Sequence, residues 1–196
     1  MPEAGVAVAV VTDNKDDSGT GRVKVRYPWH SHPPETFWAR VSTPMAGANR
    51  GFYFMPEVGD EVLVAFEHGD LRRPYVVGSL WNGEARAPAT NSDGRNDVRL
   101  IRTRKGHTLR FDDGVNGIVQ LELNGGKHLS IDDNGITLED ANGNGFTIQS
   151  GTGALTIRSG GRITLKASQI TIESSGTLDV KAAAALTFRG AVVNIN

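Results

Sequence analysis

From Leu121 onward the chain repeats a short unit, two apolar residues separated by one polar residue, about every eight positions. The pairs are Leu121/Leu123, Leu129/Ile131, Ile136/Leu138, Phe146/Ile148, Leu155/Ile157, Ile163/Leu165, Ile170/Ile172, Leu178/Val180, Leu186/Phe188 and Val193/Ile195. Alternation over so few residues predicts a strand with one buried face, and a fixed period predicts stacked copies of one unit. Residues 98–196 therefore read as a β-helical needle. Val98/Leu100 and Leu109/Phe111 open the pattern at irregular spacing, and the octads settle from Leu121.

Two inward residues per octad make a thin core for one chain. A monomeric solenoid would need three octads per rung and would leave both ends as open strand edges. An intertwined trimer, in which each chain gives one strand per layer, buries more per residue. The trimer is the preferred expectation, with Leu121, Ile131, Ile157, Ile163, Ile172, Val180 and Phe188 lining its axis. About twelve strands at about 4.7–4.9 Å would make a needle roughly 50–60 Å long. The chain ends on Ala191-Val192-Val193-Asn194-Ile195-Asn196, a blunt apolar strand expected to stick to whatever covers it.

The first 83 residues read differently. Val6–Val11, Arg22–Tyr27, Phe37–Val41, Glu61–Phe66 and Tyr75–Leu80 predict five strands, and Met45–Tyr53 leaves room for a short helical turn. Five strands at this size suit a small closed barrel of the OB type. Residues 84–97, rich in Asn, Gly, Ala, Pro, Asp and Arg, predict a linker or neck. The expected fold is all-β: an OB-fold barrel over 1–83, a linker, and an intertwined trimeric β-helix over 98–196.

Composition narrows the chemistry. With 21 basic and 22 acidic groups the chain is close to neutral, which gives no electrostatic case for nucleic acid. It has no Cys, which removes disulfides, thiolate metal sites and a Cys nucleophile together. No basic segment followed by an apolar run opens the chain, and no stretch reaches the length of a membrane span. If the protein meets a membrane, it is expected to do so as a soluble object delivered there by something else.

Candidate sites are few. His30 and His32 flank Ser31 at a spacing that can bind a metal, but no third ligand is near and Pro33-Pro34 marks a surface loop. Asp13, Asp16 and Asp17 offer several oxygens to a hard cation, yet read first as a solvated turn. Asp112-Asp113 and Asp132-Asp133 also read as turn residues. Arg99, Arg102, Arg104, Lys105 and Arg110 form a basic cluster expected to pair with acidic groups between chains. Glu122, Glu139 and Glu173 are scattered over different repeats, unlike the converging carboxylates of a glycosidase. With no nucleophile-elbow, P-loop, dinucleotide or zinc-protease motif, no catalytic residue, metal site or cofactor is expected.

The barrel region resembles the OB module of the VgrG and phage baseplate assembly protein V family, the central spikes of contractile injection systems. The resemblance is carried by Val10-Val11-Thr12-Asp13-Asn14, Gly21-Arg22-Val23-Lys24-Val25-Arg26, Trp38-Ala39-Arg40-Val41 and the long run from Gly51 to Gly83. The octad needle is similar to the spike β-helix of that family. The resemblance implies a structural homotrimer that pierces a target envelope, with a hub protein at the barrel end and tube and sheath acting indirectly. It also implies a PAAR-like tip protein seated on Val193, Ile195 and Asn196. The end holds no His-x-His, so no iron tip is expected. Only Met1–Gly5 precede the first strand, which suggests that the hub is a separate protein or that the chain is a fragment. A carbohydrate-active β-helix enzyme and an OB-fold nucleic-acid binder stay open as alternatives.

Overall fold

A computed structural model describes residues 5–29 and 36–195 of the chain. Contacts divide it into two compact units, Met1–Val98 and Arg99–Asn196.

In the first unit, alternating Val and Ala positions put one side chain in two on a common interior. Strands β1 (Val6–Asp13), β2 (Arg22–Arg26), β3 (Thr36–Val41), β6 (Glu61–Phe66) and β7 (Pro74–Leu80) close a barrel in the order β1-β2-β3-β7-β6. All neighbours are antiparallel except β3 and β7, which are parallel. Ala9, Val11, Val23, Val25, Ala39, Val62, Val64, Val76 and Tyr27 form the buried core. Small and β-branched side chains suit the narrow interior of a five-stranded barrel, and closure leaves no free sheet edge. Each fully buried Val contributes on the order of 1.5–3 kcal/mol relative to exposure.

All five expected barrel strands are present. The helical turn expected within Met45–Tyr53 is not: Ala46–Gly47 (β4) and Arg50–Gly51 (β5) pair as a small hairpin instead. Gly47 and Gly51 weaken a helix, and Asn49 takes a φ of 56° in the two-residue turn. Gly51 is required sterically, since a Cβ there would lie 2.5 Å from the Met45 carbonyl oxygen.

The second unit holds β8 (Val98–Arg102), β9 (Thr108–Asp112), β10 (Ile118–Glu122), β11 (His128–Asp132), β12 (Gly135–Glu139), β13 (Gly145–Gln149) and β14 (Ala154–Arg158). They form one seven-stranded sheet in sequence order, and from β9 to β14 every neighbouring pair is antiparallel. This differs from the expected arrangement, in which octads interlock with other chains from Leu121. Through Arg158 each strand pairs with its own neighbour in the chain because glycine-containing turns reverse its direction. At Gly135, which opens β12 with φ of 147°, β13 comes so close that a Cβ would fall 1.8 Å from the Ile148 carbonyl oxygen. The corners simplify to Ser-Gly, Ala-Ser and Ala-Ala beyond that point, and residues 159–195 contain no strand paired within the chain.

Candidate interaction surfaces

Register turns the octad pairs into a surface. Phe111, Val119, Ile131, Ile136, Ile148 and Leu155 lie opposite one another from strand to strand, forming one apolar column. Leu109, Leu121, Leu129, Leu138, Phe146 and Ile157 form a second beside it. Six strands at about 4.8 Å make columns roughly 24 Å long. The opposite face carries Arg110, Gln120, Ser130, Thr137, Thr147 and Thr156 in register. The sheet thus has one apolar and one polar side, and no layer of the second unit covers the apolar one: Leu138 is 52 % exposed and Ile157 56 %.

Of the residues expected to line an axis, Leu121, Ile131 and Ile157 fall on this face. Ile163, Ile172, Val180 and Phe188 lie in the segment without intrachain strands, and all four are exposed. Val193 and Ile195 are exposed near the end of the chain, Ile195 at 88 %. Asn196 lies outside the described residues, as do His30 and His32.

The acidic turns find internal partners. Asp16, with a side chain only 6 % exposed, accepts from Arg22 Nη2 at 2.9 Å, Ser18 Oγ at 2.5 Å and Thr20 Oγ1 at 3.0 Å. The Arg22 guanidinium, helped by Ser18, holds the Asp16 carboxyl far below the usual carboxylate range. This knot staples the β1–β2 loop and leaves those oxygens little capacity for a cation. Asp13 accepts the Lys15 backbone N–H at 2.9 Å, and Asp17 lies 3.9 Å from the Lys15 ammonium. Asp132 caps the tight turn by accepting from the Asn134 and Gly135 backbone N–H groups. Among the described residues no group of three His, Asp or Glu side chains is placed to hold a metal.

Within the basic cluster, Arg99 pairs with Asp113 at 2.6 Å and Arg110 pairs with Asp112. These acidic partners lie in the same chain. Glu139 receives Arg158 at 3.1 Å across the sheet, so it is tied to β14 and joins no carboxylate pair.

Two barrel surfaces escaped the reading of the sequence. On the outside of β2, β3 and β7, Arg22 and Lys24 each lie 5.2 Å from the Trp38 ring centre, and Arg40 lies 5.7 Å from Tyr75. Only the cross-strand register Lys24↔Trp38 and Arg40↔Tyr75 brings these together. Beside the β4–β5 hairpin, Met45, Phe52, Tyr53 and Phe54 are exposed, Tyr53 at 82 %. The signal for the second was present: three consecutive aromatic residues after Gly51 are too apolar for an ordinary loop.

A closed OB-like barrel followed by an amphipathic antiparallel sheet makes this an all-β protein. Residues 7–81 match the family model of the type VI secretion system and phage-baseplate injector OB domain. The spike protein VgrG1a of Pseudomonas aeruginosa is 35 % identical over 91 residues, which take in 44 % of this chain and 14 % of that protein. VgrG3 of Vibrio cholerae is 34 % identical over 101 residues, covering 47 % of this chain and 10 % of VgrG3. The actin cross-linking toxin VgrG1 of the same species is 32 % identical over 101 residues. Residues 7–81 are thus an OB domain of the kind found in type VI secretion and phage-baseplate injectors, and the same region is similar to VgrG spike proteins. The aligned stretch spans only a small fraction of these relatives' length. No helix among the described residues is long and apolar enough to cross a membrane.

Proposed function

We propose that the chain is the central spike of a contractile injection machine, a homotrimer with a collar of barrels over 1–83, a neck over 84–97 and a needle over 98–196. The apolar face of the β9–β14 sheet carries this reading. Two uncovered columns of six residues are far more contiguous than the scattered apolar side chains of an ordinary surface. Three such sheets turned inward would bury them together, with the Thr-rich faces outward. The segment 160–195 would then find its ladder partners in the other two chains, with Ile163, Ile172, Val180 and Phe188 on the shared axis.

Area supports the same reading. A folded monomer of 21.0 kDa is expected to expose about 9,000 Å², whereas this chain exposes 15585 Å². An excess of thousands of square ångströms is what an obligate assembly covers.

The mechanism is mechanical. Sheath contraction drives the needle through the target envelope, and continuous backbone ladders around a dry axis give it stiffness. A hub protein would hold the barrel end, and a PAAR-like tip would cover Val193, Ile195 and the terminal Asn196. The function requires no cofactor, catalytic group or nucleic acid. The test is the pair Ile163→Asp and Ile172→Asp, followed by sedimentation. Loss of the wild-type three-chain species to monomer or aggregate supports the reading; an assembly unchanged in size and melting contradicts it.

A further inference from the structure

Asn followed by Gly is a chemically labile pair, because the Gly backbone nitrogen, unhindered by a Cβ, can attack the Asn carboxamide. The chain has six such pairs: Asn82-Gly83, Asn116-Gly117, Asn124-Gly125, Asn134-Gly135, Asn142-Gly143 and Asn144-Gly145. Attack needs two freedoms, a carboxamide that can turn towards the nitrogen and a Gly N–H that is not already donated. The fold withholds one or both of these at four of the six pairs.

At Asn82 the carboxamide is tied: its Oδ1 accepts the Glu84 and Ala85 N–H groups at 2.9 and 2.7 Å, and its Nδ2 donates to Glu61 at 3.3 Å. At Asn144 it is tied more tightly, with Nδ2 donating to Asp140 Oδ2 at 2.8 Å and Oδ1 accepting the Gly160 N–H at 2.8 Å. Gly145 is also already part of β13, opposite Glu139. At Asn134 the nitrogen is withheld instead. Gly135 N–H donates to Asp132 Oδ1 at 3.1 Å, and the Ile148 carbonyl closes over that glycine. At Asn116 the carboxamide is free, but Gly117 N–H donates to the Gly114 carbonyl at 3.1 Å.

Asn124 and Asn142 keep both freedoms. Both are exposed, and among the described residues neither carboxamide makes a hydrogen bond and neither the Gly125 nor the Gly143 N–H is donated. A Cβ on either glycine would meet nothing within 4 Å, so the nitrogens stand in open space. The chain is nonetheless held up to the point of attack: Asn124 N–H donates to His107 Nδ1 at 3.0 Å, and Asn142 N–H to Asp140 Oδ1 at 2.8 Å. The two turns lie together at one edge of the sheet, where a Cβ on Gly126 would stand 3.6 Å from the Ala141 Cβ. We propose that Asn124 and Asn142 are sites of spontaneous deamidation in the folded chain, so that this edge of the sheet gains negative charge with age. The Gly nitrogen bonds to the Asn Cγ and gives up its proton, and the Cγ–Nδ2 bond breaks to release ammonia. Water then opens the resulting succinimide at one of its two C–N bonds, giving aspartate or isoaspartate. The isoaspartate route adds a methylene to the backbone of the turn. At residue 142 the new carboxylate arises two positions from Asp140, which already holds the backbone N–H groups of Asn142 and Asn144. The chemistry does not depend on how many chains assemble.

The test is incubation of the full chain at mildly alkaline pH and physiological temperature, with timed samples mapped by peptide mass spectrometry. Each event reads as a gain of about one mass unit at an assigned Asn. A parallel incubation in concentrated urea gives the reactivity of each pair without the fold. In urea the six pairs are expected to react at similar rates. In the folded chain Asn124 and Asn142 should stay close to that rate, Asn82, Asn134 and Asn144 should slow by on the order of 10- to 100-fold, and Asn116 should fall between. Native isoelectric focusing should show two successive acidic steps, absent from the variant carrying Asn124→Gln and Asn142→Gln. A folded chain in which neither Asn reacts, or in which Asn134 and Asn144 react as fast, overturns the proposal. Acidic steps that persist in the double variant overturn it too, and reaction confined to one of the two overturns the assignment of the other.

Discussion

The barrel and the β9–β14 sheet are written in the same alternating pattern, yet one buries its apolar residues and the other leaves them open. In the barrel, Val23, Val25, Val62 and Val64 face one another across a closed cylinder and are fully buried. In the sheet, Leu129, Ile131 and Leu138 stand in equally regular columns with solvent where a second layer would be. Alternation specifies which residues share a face. Whether that face is satisfied within the chain depends on curvature and closure, which the pattern does not encode.

That contrast gives five ways to break it. The largest effect is expected from Leu121→Asp with Ile131→Asp. Carboxylates buried at a shared apolar axis should abolish the assembly, while barrel tryptophan fluorescence stays native; light scattering and emission spectra check this together. Next, Val62→Ala should lower barrel stability by about 2 kcal/mol, read by denaturant titration, with assembly mass unchanged. Melting of the second unit should also rise with protein concentration, whereas the barrel's midpoint should not.

Acid should discriminate as well. The Asp16 carboxyl lies far below its ordinary value of 3.8, because of Arg22 first, and Arg72 lowers Asp70 to about 2. A depressed folded-state pKa contributes stability that is present above the unfolded value and is lost as pH falls towards the folded one. Barrel melting should therefore decline below about pH 4, and Asp16→Asn should flatten that decline. The smallest effect is expected at Thr147→Ser on the polar face, within about 0.5 kcal/mol in both stability and assembly.

Much of the architecture was legible in the chain. The five barrel strands follow from runs such as Val62 to Phe66, and the faces of the sheet follow from the pairs themselves. What stayed hidden needed register or context. The Trp38 face joins residues from three strands, and Leu109, Leu121 and Leu129 become a column only once the hairpins set which residues lie opposite. The turns of the meander were visible too, in Asn124-Gly125-Gly126 and Asp132-Asp133-Asn134-Gly135, where Gly and Asn permit tight corners; which strands they pair was not. Asp16 was a turn residue in the sequence; its three side-chain partners show it to be the anchor of the loop.

The mass of the intact chain in dilute solution, measured by light scattering, tests the central claim most directly. The account predicts three times 21.0 kDa. A folded, heat-resistant particle with the mass of one chain would contradict it.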